Sequence, residues 1–170
     1  LVRGFDVAGT CVGLVAMDKI IRGDRVAPGD AIIGYASSGM HSNGYTLARR
    51  LLIGEHVERV FDHVAEFGRT LGEELLEPTR IYVKLALDLF DAADVRALAH
   101  ITSDGFLNLA RIDATVGFRI EALPETPPVF SAVQRAGDLS DEEMYLVYNM
   151  GIGLCAIVPE ADADRAIALG

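Results

Sequence analysis

Short apolar runs alternate with amphipathic segments along most of the chain. Unbroken apolar and β-branched runs predict strands at residues 10–17, 31–36, 95–101, 117–122 and 152–158. Apolar residues at helical spacing predict helices at residues 45–52, 70–76, 78–93, 105–112, 127–136 and 162–169. Because strands and helices alternate, the expected fold is a layered α/β domain, of α+β type, in which helices pack on a mixed β-sheet.

Local signals predict where several of these helices begin. Pro78 suits the first turn of a helix, because its ring presets φ and it has no N–H group to leave unpaired there. The helix predicted after Pro78 carries one apolar stripe, formed by Ile81, Leu85, Leu89 and Phe90. Ser140 and Glu143 have the spacing of a capping box, so a short helix should follow Ser140.

Composition narrows the classes of function. The chain has 170 residues, 51% of them hydrophobic, and a net charge of −10. A chain of this length can bury one core, and so acidic a surface repels nucleic acids and anionic membranes. The sequence contains no apolar run of transmembrane length and no recognisable signal segment. Cys11 and Cys155 each lie in an apolar run and are interpreted as reduced core thiols, which predicts a cytoplasmic protein.

The first candidate site is residues 37–44, here called the Ser-Gly loop, which separates a predicted strand from a predicted helix. Its residues are Ser37, Ser38, Gly39, Met40, His41, Ser42, Asn43 and Gly44. Free N–H groups and the positive end of a helix dipole make such a junction an anion site, and serine hydroxyls add donors. The alternative is a plain helix cap, with Ser42 or Asn43 as the capping residue. The spacing leaves both hypotheses open.

Three further segments place polar residues or glycines next to predicted elements. Residues 100–105 (His-Ile-Thr-Ser-Asp-Gly) lie where a strand turns into a helix, which suits either a ligand loop or a tight turn capped by Asp104. Arg80 stands at a predicted helix start, against the helix dipole, and is explained either by an ion pair with Glu77 or by contact with phosphate or another subunit. Residues 149–153 put two glycines at the mouth of a strand, where a bulge, a close backbone approach or a plain turn would fit.

Five segments, in this order, resemble the aminoimidazole ribonucleotide synthetase (phosphoribosylformylglycinamidine cyclo-ligase) family. They are residues 6–9 (Asp-Val-Ala-Gly), 37–45 (Ser-Ser-Gly-Met-His-Ser-Asn-Gly-Tyr), 77–84 (Glu-Pro-Thr-Arg-Ile-Tyr-Val-Lys), 100–102 (His-Ile-Thr) and 143–153, which contains Glu-Met and Asn-Met-Gly-Ile-Gly. The resemblance covers nearly the whole chain. Related ATP-using families match these strings less well: formylglycinamide ribonucleotide amidotransferase, selenophosphate synthetase, thiamine-monophosphate kinase and a hydrogenase maturation protein.

The resemblance implies the C-terminal domain of a two-domain, homodimeric, ATP-dependent ligase, with a single such domain over residues 1–170. The family converts formylglycinamidine ribonucleotide into aminoimidazole ribonucleotide in purine biosynthesis. ATP phosphorylates the formyl oxygen, an internal nitrogen attacks the activated carbon, and phosphate leaves as the ring closes. ATP and Mg²⁺ are expected to bind mainly to the N-terminal domain, and no metal ligands are expected in this chain.

The candidate site residues follow from the matched strings. The expected substrate- and phosphate-binding residues are Ser37, Ser38, Gly39, His41, Ser42, Asn43, Gly44 and Thr102. His41 is also the expected catalytic residue, and the further candidates are Asp6, Arg80, Asn149 and Gly151.

Three features depart from the family pattern. The N-terminal ATP-binding domain and the strand expected after the final helix are missing from residues 1–170, so we expect no cyclo-ligase turnover from this chain alone. The glycine-rich string that commonly follows His-Ile-Thr is replaced by Ser-Asp-Gly, and the carboxylate of Asp104 would repel phosphate unless it binds Mg²⁺ or points away. Two other hypotheses remain: a domain of another ATP-using member of the superfamily, or a binding module without catalysis.

Overall fold

The computed structural model describes residues 8–170. The strands are β1 (Asp30–Ala36), β2 (His63–Val64), β3 (Arg69–Thr70), β4 (Ala97–His100) and β5 (Ile152–Pro159). The α-helices are α1 (Tyr45–Leu52), α2 (Leu71–Leu75), α3 (Val83–Ala92), α4 (Pro128–Gly137), α5 (Asp141–Val147) and α6 (Ala163–Ile167). Short 3-10 helices cover Met17–Lys19, Val57–Phe61, Gly105–Arg111 and Glu160–Asp162. None of the helices within residues 8–170 has the length and apolarity needed to span a membrane.

The main sheet has three strands in the order β1-β5-β4, and β2 pairs with β3 in a separate hairpin. The layered α/β class is confirmed. Every pairing between the described strands is antiparallel, so the parallel pairing that a mixed sheet would include is not found within residues 8–170. Because β5 runs antiparallel to both neighbours, β1 and β4 point the same way and end at the same edge of the sheet.

Apolar side chains cover both faces of this sheet and fill a separate helical core. One face of the sheet packs against α3 and α6, around Ile33, Tyr35, Leu89, Leu154, Ala156, Val158 and Ala166. The other face buries Ala99, Ile101, Leu109, Ile152 and Cys155. A third cluster joins α1, α2, α4 and α5 around Leu52, Leu75, Phe130, Val133, Met144 and Tyr148. β5 is the central strand and is buried from Ile152 to Val158, which explains its unbroken apolar sequence.

Helix signals that act over a few residues are confirmed. Ser140 and Glu143 form both hydrogen bonds of a capping box at the start of α5, and α4 begins at Pro128. The helix at residues 45–52 and the strand at 152–158 are found where they were expected. Each of these predictions depends on short-range contacts or on strong periodicity, which the sequence itself contains.

Two predicted strands are wrong. Residues 10–17 form no strand, and Val12 and Met17 are 91% and 79% exposed. Residues 117–122 also lack strand pairing. A β-branched run becomes a strand only where a neighbouring strand and a covering layer exist, and the described part of the chain offers neither to these two segments. Cys11, in the first run, is consequently exposed and is not a core thiol, whereas Cys155 is buried.

The helix predicted from Pro78 begins five residues later, at Val83. Two tertiary hydrogen bonds hold the preceding stretch in a non-helical path: the Ser38 hydroxyl donates to the Pro78 carbonyl (2.6 Å), and the Tyr82 hydroxyl donates to the Ala36 carbonyl (2.8 Å). The predicted apolar stripe is therefore only partly correct. Leu89 is fully buried and Leu85 half-buried, but Ile81 and Phe90 are exposed.

Candidate functional site

Three of the sequence segments singled out above meet at one edge of the sheet. β1 runs into the Ser-Gly loop, β4 runs into residues 101–105, and β5 begins directly after residues 149–151. Backbone hydrogen bonds join them: Ser37 N–H donates to the Gly151 carbonyl (2.8 Å) and Ile101 N–H donates to the Gly153 carbonyl (2.9 Å). The candidate site is therefore assembled around the first residues of the central strand.

Asn149 holds the Ser-Gly loop against this edge. Its side chain is fully buried, and its amide nitrogen donates to the Gly39 carbonyl at 2.9 Å. Its amide oxygen accepts from the Ser37 hydroxyl and from the Gly151 N–H, both at 2.9 Å. Asn149, Ser37 and Gly151 are thus engaged with one another, and they shape the loop from within the protein.

His41 lies buried in the middle of the loop, with 5% of its surface exposed. Its Nε2 accepts the Ser38 N–H at 3.1 Å, so the neutral ring carries its proton on Nδ1. That Nδ1 is buried and has no hydrogen-bond partner among the described residues. Burial, with smaller contributions from His100 and Arg80, lowers the pKa of His41 to about 4. At neutral pH the ring is uncharged and offers one donor.

Tyr82 and His100 form an aromatic cluster with His41. The ring centroids are 6.0–6.2 Å apart in all three pairs. Burial raises the pKa of Tyr82 to about 12, so its hydroxyl remains protonated. A Cβ on Gly153 would stand 2.0 Å from the Tyr82 hydroxyl oxygen and 2.5 Å from His41 Cε1, so a side chain at residue 153 would displace the cluster. Tyr82 was not singled out from the sequence, although the glycines at the mouth of β5 had indicated a close approach.

Helix α1 begins without a side-chain cap. Its N-terminal cap is Gly44, in a left-handed conformation (φ 76°), and no side chain there accepts a backbone N–H. The Asn43 side chain donates instead to the Val147 carbonyl (2.9 Å), and Ser42 is exposed. The hypothesis that Ser42 or Asn43 caps α1 is therefore wrong. The first-turn N–H groups of α1 have no intrahelical acceptor and remain suited to an anion.

Residues 102–105, here called the Thr-Asp loop, follow β4 at the same edge but are closed by their own contacts. The Thr102 hydroxyl donates to the Asn108 amide oxygen (3.0 Å), and the Asn108 nitrogen donates to the Ser103 and Gly105 carbonyls. Asp104 precedes the 3-10 helix Gly105–Arg111 without forming a side-chain cap, and its carboxylate pairs with Arg111. Asp104 thus occupies the predicted N-cap position, but its side chain does not cap the helix, and its charge is compensated by Arg111.

The remaining candidates lie beside the site or outside the described residues. Arg80 is exposed in the stretch before α3, and it makes no ion pair with Glu77, which pairs with Arg69 instead. The predicted helix-terminal position of Arg80 is wrong, and so is the alternative of an ion pair with Glu77; contact with phosphate or another subunit stays a hypothesis. Asp6 lies outside the described residues. Within residues 8–170, no three His, Cys, Asp or Glu side chains are grouped in a way that could hold a metal ion.

This α/β domain, with a donor-rich loop at its sheet edge, matches one protein family over most of its length. Residues 27–169 match the family described as "AIR synthase related protein, C-terminal domain". The chain belongs to this family.

The relatives that the chain matches carry one common name. Proteins called "phosphoribosylformylglycinamidine cyclo-ligase" from Thermococcus kodakarensis and Methanococcus vannielii are 47% and 44% identical over 169 residues. The protein of that name from Methanothermobacter thermautotrophicus is 44% identical over 170 residues. Each alignment covers 99% of this chain but only 48–50% of the relative, so the chain spans about half the length of the curated relatives it matches.

Proposed function

We propose that residues 1–170 form a single C-terminal domain of an ATP-dependent cyclo-ligase of purine biosynthesis. The substrate is formylglycinamidine ribonucleotide and the product is aminoimidazole ribonucleotide. The family and the shared name of the relatives support the reaction, and their greater length supports a second, N-terminal half that completes the enzyme. We further propose that the complete protein is a cytoplasmic homodimer.

The geometry of the Ser-Gly loop, which gathers hydrogen-bond donors at one place, is the main structural support for this proposal. Positive φ at Gly39, His41 and Gly44 alternates with ordinary backbone, and backbone of this kind forms anion-binding concavities. The uncapped start of α1 adds further N–H donors, and Nδ1–H of His41 is a buried donor without an acceptor among the described residues. A focused set of donors is what a protein of net charge −10 needs in order to hold a doubly charged phosphate.

We assign the loop to the 5′-phosphate of the ribonucleotide, with a phosphate of ATP as the less favoured occupant. Ser42 and the N–H groups from Gly39 to Gly44 would donate to it. Ser38, whose hydroxyl donates to the Pro78 carbonyl, and Asn43 would hold the loop in place. Thr102 forms the neighbouring wall, and Asn149 and Gly151 support the loop from beneath. Arg80 adds positive charge near the same edge.

His41 serves in this proposal as a neutral hydrogen-bond donor. Because its pKa is about 4, an imidazolium is not available for general acid catalysis near pH 7. Its Nδ1–H can donate to a substrate oxygen, either of the phosphate or of the reacting formyl group. Donation to an oxygen on which negative charge develops stabilises the transition state of such a step.

ATP and Mg²⁺ would be bound mainly by the N-terminal half. The groups in the Ser-Gly loop are donors, which suit phosphate, whereas Mg²⁺ prefers carboxylate oxygens and water. ATP supplies the phosphoryl group that turns the formyl oxygen into a leaving group. This chain's residues would bind and orient the nucleotide, so that the internal nitrogen lies close to the activated carbon.

Turnover by the isolated chain tests whether the reaction requires the proposed N-terminal half. Residues 1–170 alone should show no ATP-dependent ring closure, and the full-length protein with Mg²⁺ and ATP should show it. The dissociation constant of formylglycinamidine ribonucleotide should rise about tenfold or more in Ser38→Ala and in His41→Ala full-length protein. His41→Ala removes a donor, and Ser38→Ala removes the hydrogen bond that holds the loop to the Pro78 carbonyl. Normal substrate binding by both variants, with early unfolding instead, would show that the loop is structural only.

A further inference from the structure

Arg69 bridges two glutamates immediately beside the Ser-Gly loop. Its Nε donates to Glu74 at 2.7 Å and its Nη1 donates to Glu77 at 2.5 Å. Arg69 lies in β3, and both glutamates follow it within eight residues, in and just after α2. The hydrogen bonds to Glu77 and Glu74 raise the pKa of Arg69, so the guanidinium keeps its charge. The short hairpin of β2 and β3 thus positions one cation between two carboxylates.

Glu74 lies against the Ser-Gly loop. Its side chain is only 10% exposed, and its free carboxylate oxygen is 3.8 Å from the position that a Cβ on Gly39 would take. On the other side of the loop, burial and the charge of Glu74 raise the pKa of Tyr45, the first residue of α1. The carboxylate therefore lies near Gly39 within the loop, and its charge reaches Tyr45, which directly follows the loop.

Glu77 is tied to the same loop through the backbone. It precedes Pro78, whose carbonyl accepts the Ser38 hydroxyl at 2.6 Å. Without a counter-charge, Glu74 and Glu77 would place two negative charges beside a loop that has to hold a dianion. Repulsion of this kind is strong where the charges are partly buried, because water and salt screen them poorly there.

We propose that Arg69 is a positioning residue that offsets part of the negative charge of Glu74 and Glu77 and thereby lets the Ser-Gly loop take a phosphate dianion. This inference rests on the proposed function of the loop and extends it to a residue outside the matched sequence strings. Arg69 does not touch the phosphate; it reduces the repulsion that its two partners would exert. The alternative is that Arg69 only braces the hairpin against α2.

The test measures binding of ribose 5-phosphate to the full-length protein by calorimetry. Arg69→Met should raise the dissociation constant about tenfold or more, and by a larger factor at low salt than at high salt, because unscreened carboxylates then face the anion. The triple variant Arg69→Met, Glu74→Gln, Glu77→Gln should return the constant to within about threefold of wild type, because the repelling charges are gone. If Arg69 only braced the hairpin, the triple variant would bind ribose 5-phosphate as weakly as Arg69→Met does.

Two further variants make the result decisive. Arg135→Met is the matched control: it removes one positive charge from an exposed ion pair with Glu66, and it should leave the dissociation constant unchanged. Glu74→Gln with Glu77→Gln, in the presence of Arg69, should bind ribose 5-phosphate at least as tightly as wild type, so the inference remains testable if Arg69→Met fails to fold. Weaker binding by that double variant overturns the inference.

The outcomes separate the inference from the proposed function. If wild type binds ribose 5-phosphate and His41→Ala weakens the binding, but Arg69→Met does not, the inference fails and the proposed function stands. If the triple variant is folded but binds as weakly as Arg69→Met, bracing is the explanation and the inference also fails. If wild type does not bind ribose 5-phosphate, the proposed function fails and the inference with it.

Discussion

The Ser-Gly loop and the Thr-Asp loop occupy equivalent positions and use their polar groups in opposite ways. Each follows an outer strand of the same three-stranded sheet, at the same edge. Each holds a non-glycine residue in the left-handed region: His41 with φ 61° and Asp104 with φ 72°. The two loops therefore share their place in the fold and part of their backbone geometry.

They differ in what their donors contact. In the Thr-Asp loop, Thr102, Asn108 and the loop carbonyls satisfy one another, and Asp104 pairs with Arg111. In the Ser-Gly loop, a distant asparagine fixes the backbone, while the start of α1 and Nδ1 of His41 are left without protein acceptors among the described residues. A strand-end loop thus becomes a candidate ligand site when it is held from outside, because some of its donors, here Nδ1–H of His41 and the first-turn N–H groups of α1, then stay available.

The largest expected effect is on stability and tests the packing around the Thr-Asp loop. Gly105→Ala should lower the free energy of unfolding by about 2–4 kcal/mol, because a Cβ at this left-handed glycine would lie 1.8 Å from the Tyr145 carbonyl oxygen. The control is Gly117→Ala, where a Cβ meets nothing within 4 Å and the cost should be below about 0.5 kcal/mol. Urea denaturation measures both. Equal costs for the two variants would contradict the tight packing inferred for the closed loop.

The next effect is the pH dependence of stability that His41 of the Ser-Gly loop causes. The folded-state pKa of His41 is about 4, below its usual 6.5, so the unfolded chain takes up a proton that the folded chain refuses between these values. The contribution of neutral His41 to the free energy of unfolding is fully present above about pH 6.5. It is lost as the pH drops toward 4, by about 2 kcal/mol between pH 7 and pH 5. His41→Gln should remove that part of the pH dependence. Parallel stability curves for wild type and variant, from urea denaturation at both pH values, would refute the assignment.

A third prediction contrasts binding with stability. His41→Ala should weaken binding of formylglycinamidine ribonucleotide to the full-length protein by about tenfold or more, because a buried donor is lost. Asn108→Ala, which acts on the Thr-Asp loop, should instead lower the free energy of unfolding by about 1–3 kcal/mol, because the buried Gly105 carbonyl and the partly buried Thr102 hydroxyl lose their hydrogen-bond partner. Calorimetric titration and urea denaturation on each variant measure the two quantities. If Asn108→Ala impairs binding as much as His41→Ala does, the two loops do not differ in their roles as inferred.

The smallest effect is expected at Asp104. Asp104→Gly removes an exposed ion pair, worth about 0–1 kcal/mol, and relieves a left-handed backbone, which recovers a similar amount. Stability should therefore change by less than about 0.5 kcal/mol. The Michaelis constant of the full-length enzyme for the nucleotide should stay the same or fall, because a carboxylate near the edge is gone. A large rise, or a lost dependence on Mg²⁺, would identify Asp104 as a ligand.

The site could be located from the sequence only in part. The Ser-Gly loop and the glycines before β5 were recognised because glycine, serine and the strand–helix junction are local features. Tyr82 and Arg69 were not recognised, because their importance arises from contacts with Ala36, Gly153 and Glu74 that no local spacing encodes. The misplaced start of α3 has the same cause: Pro78 permits a helix, but hydrogen bonds to distant residues oppose it.

The amino-acid sequence alone is enough to predict the order of most elements, the starts of α4 and α5, the buried character of β5 and the family to which the chain belongs. These depend on periodicity, capping and residue identity, which act within a few positions. Tertiary contacts, in contrast, select which of the predicted strands form and which donors keep no protein acceptor among the described residues. Residues 10–17 lack a strand because no described neighbour pairs with them, and Ser37 is occupied because Asn149, 112 positions away, accepts its hydroxyl. Pairing, burial and pKa depend on neighbours distant in sequence, so they are properties of the folded chain.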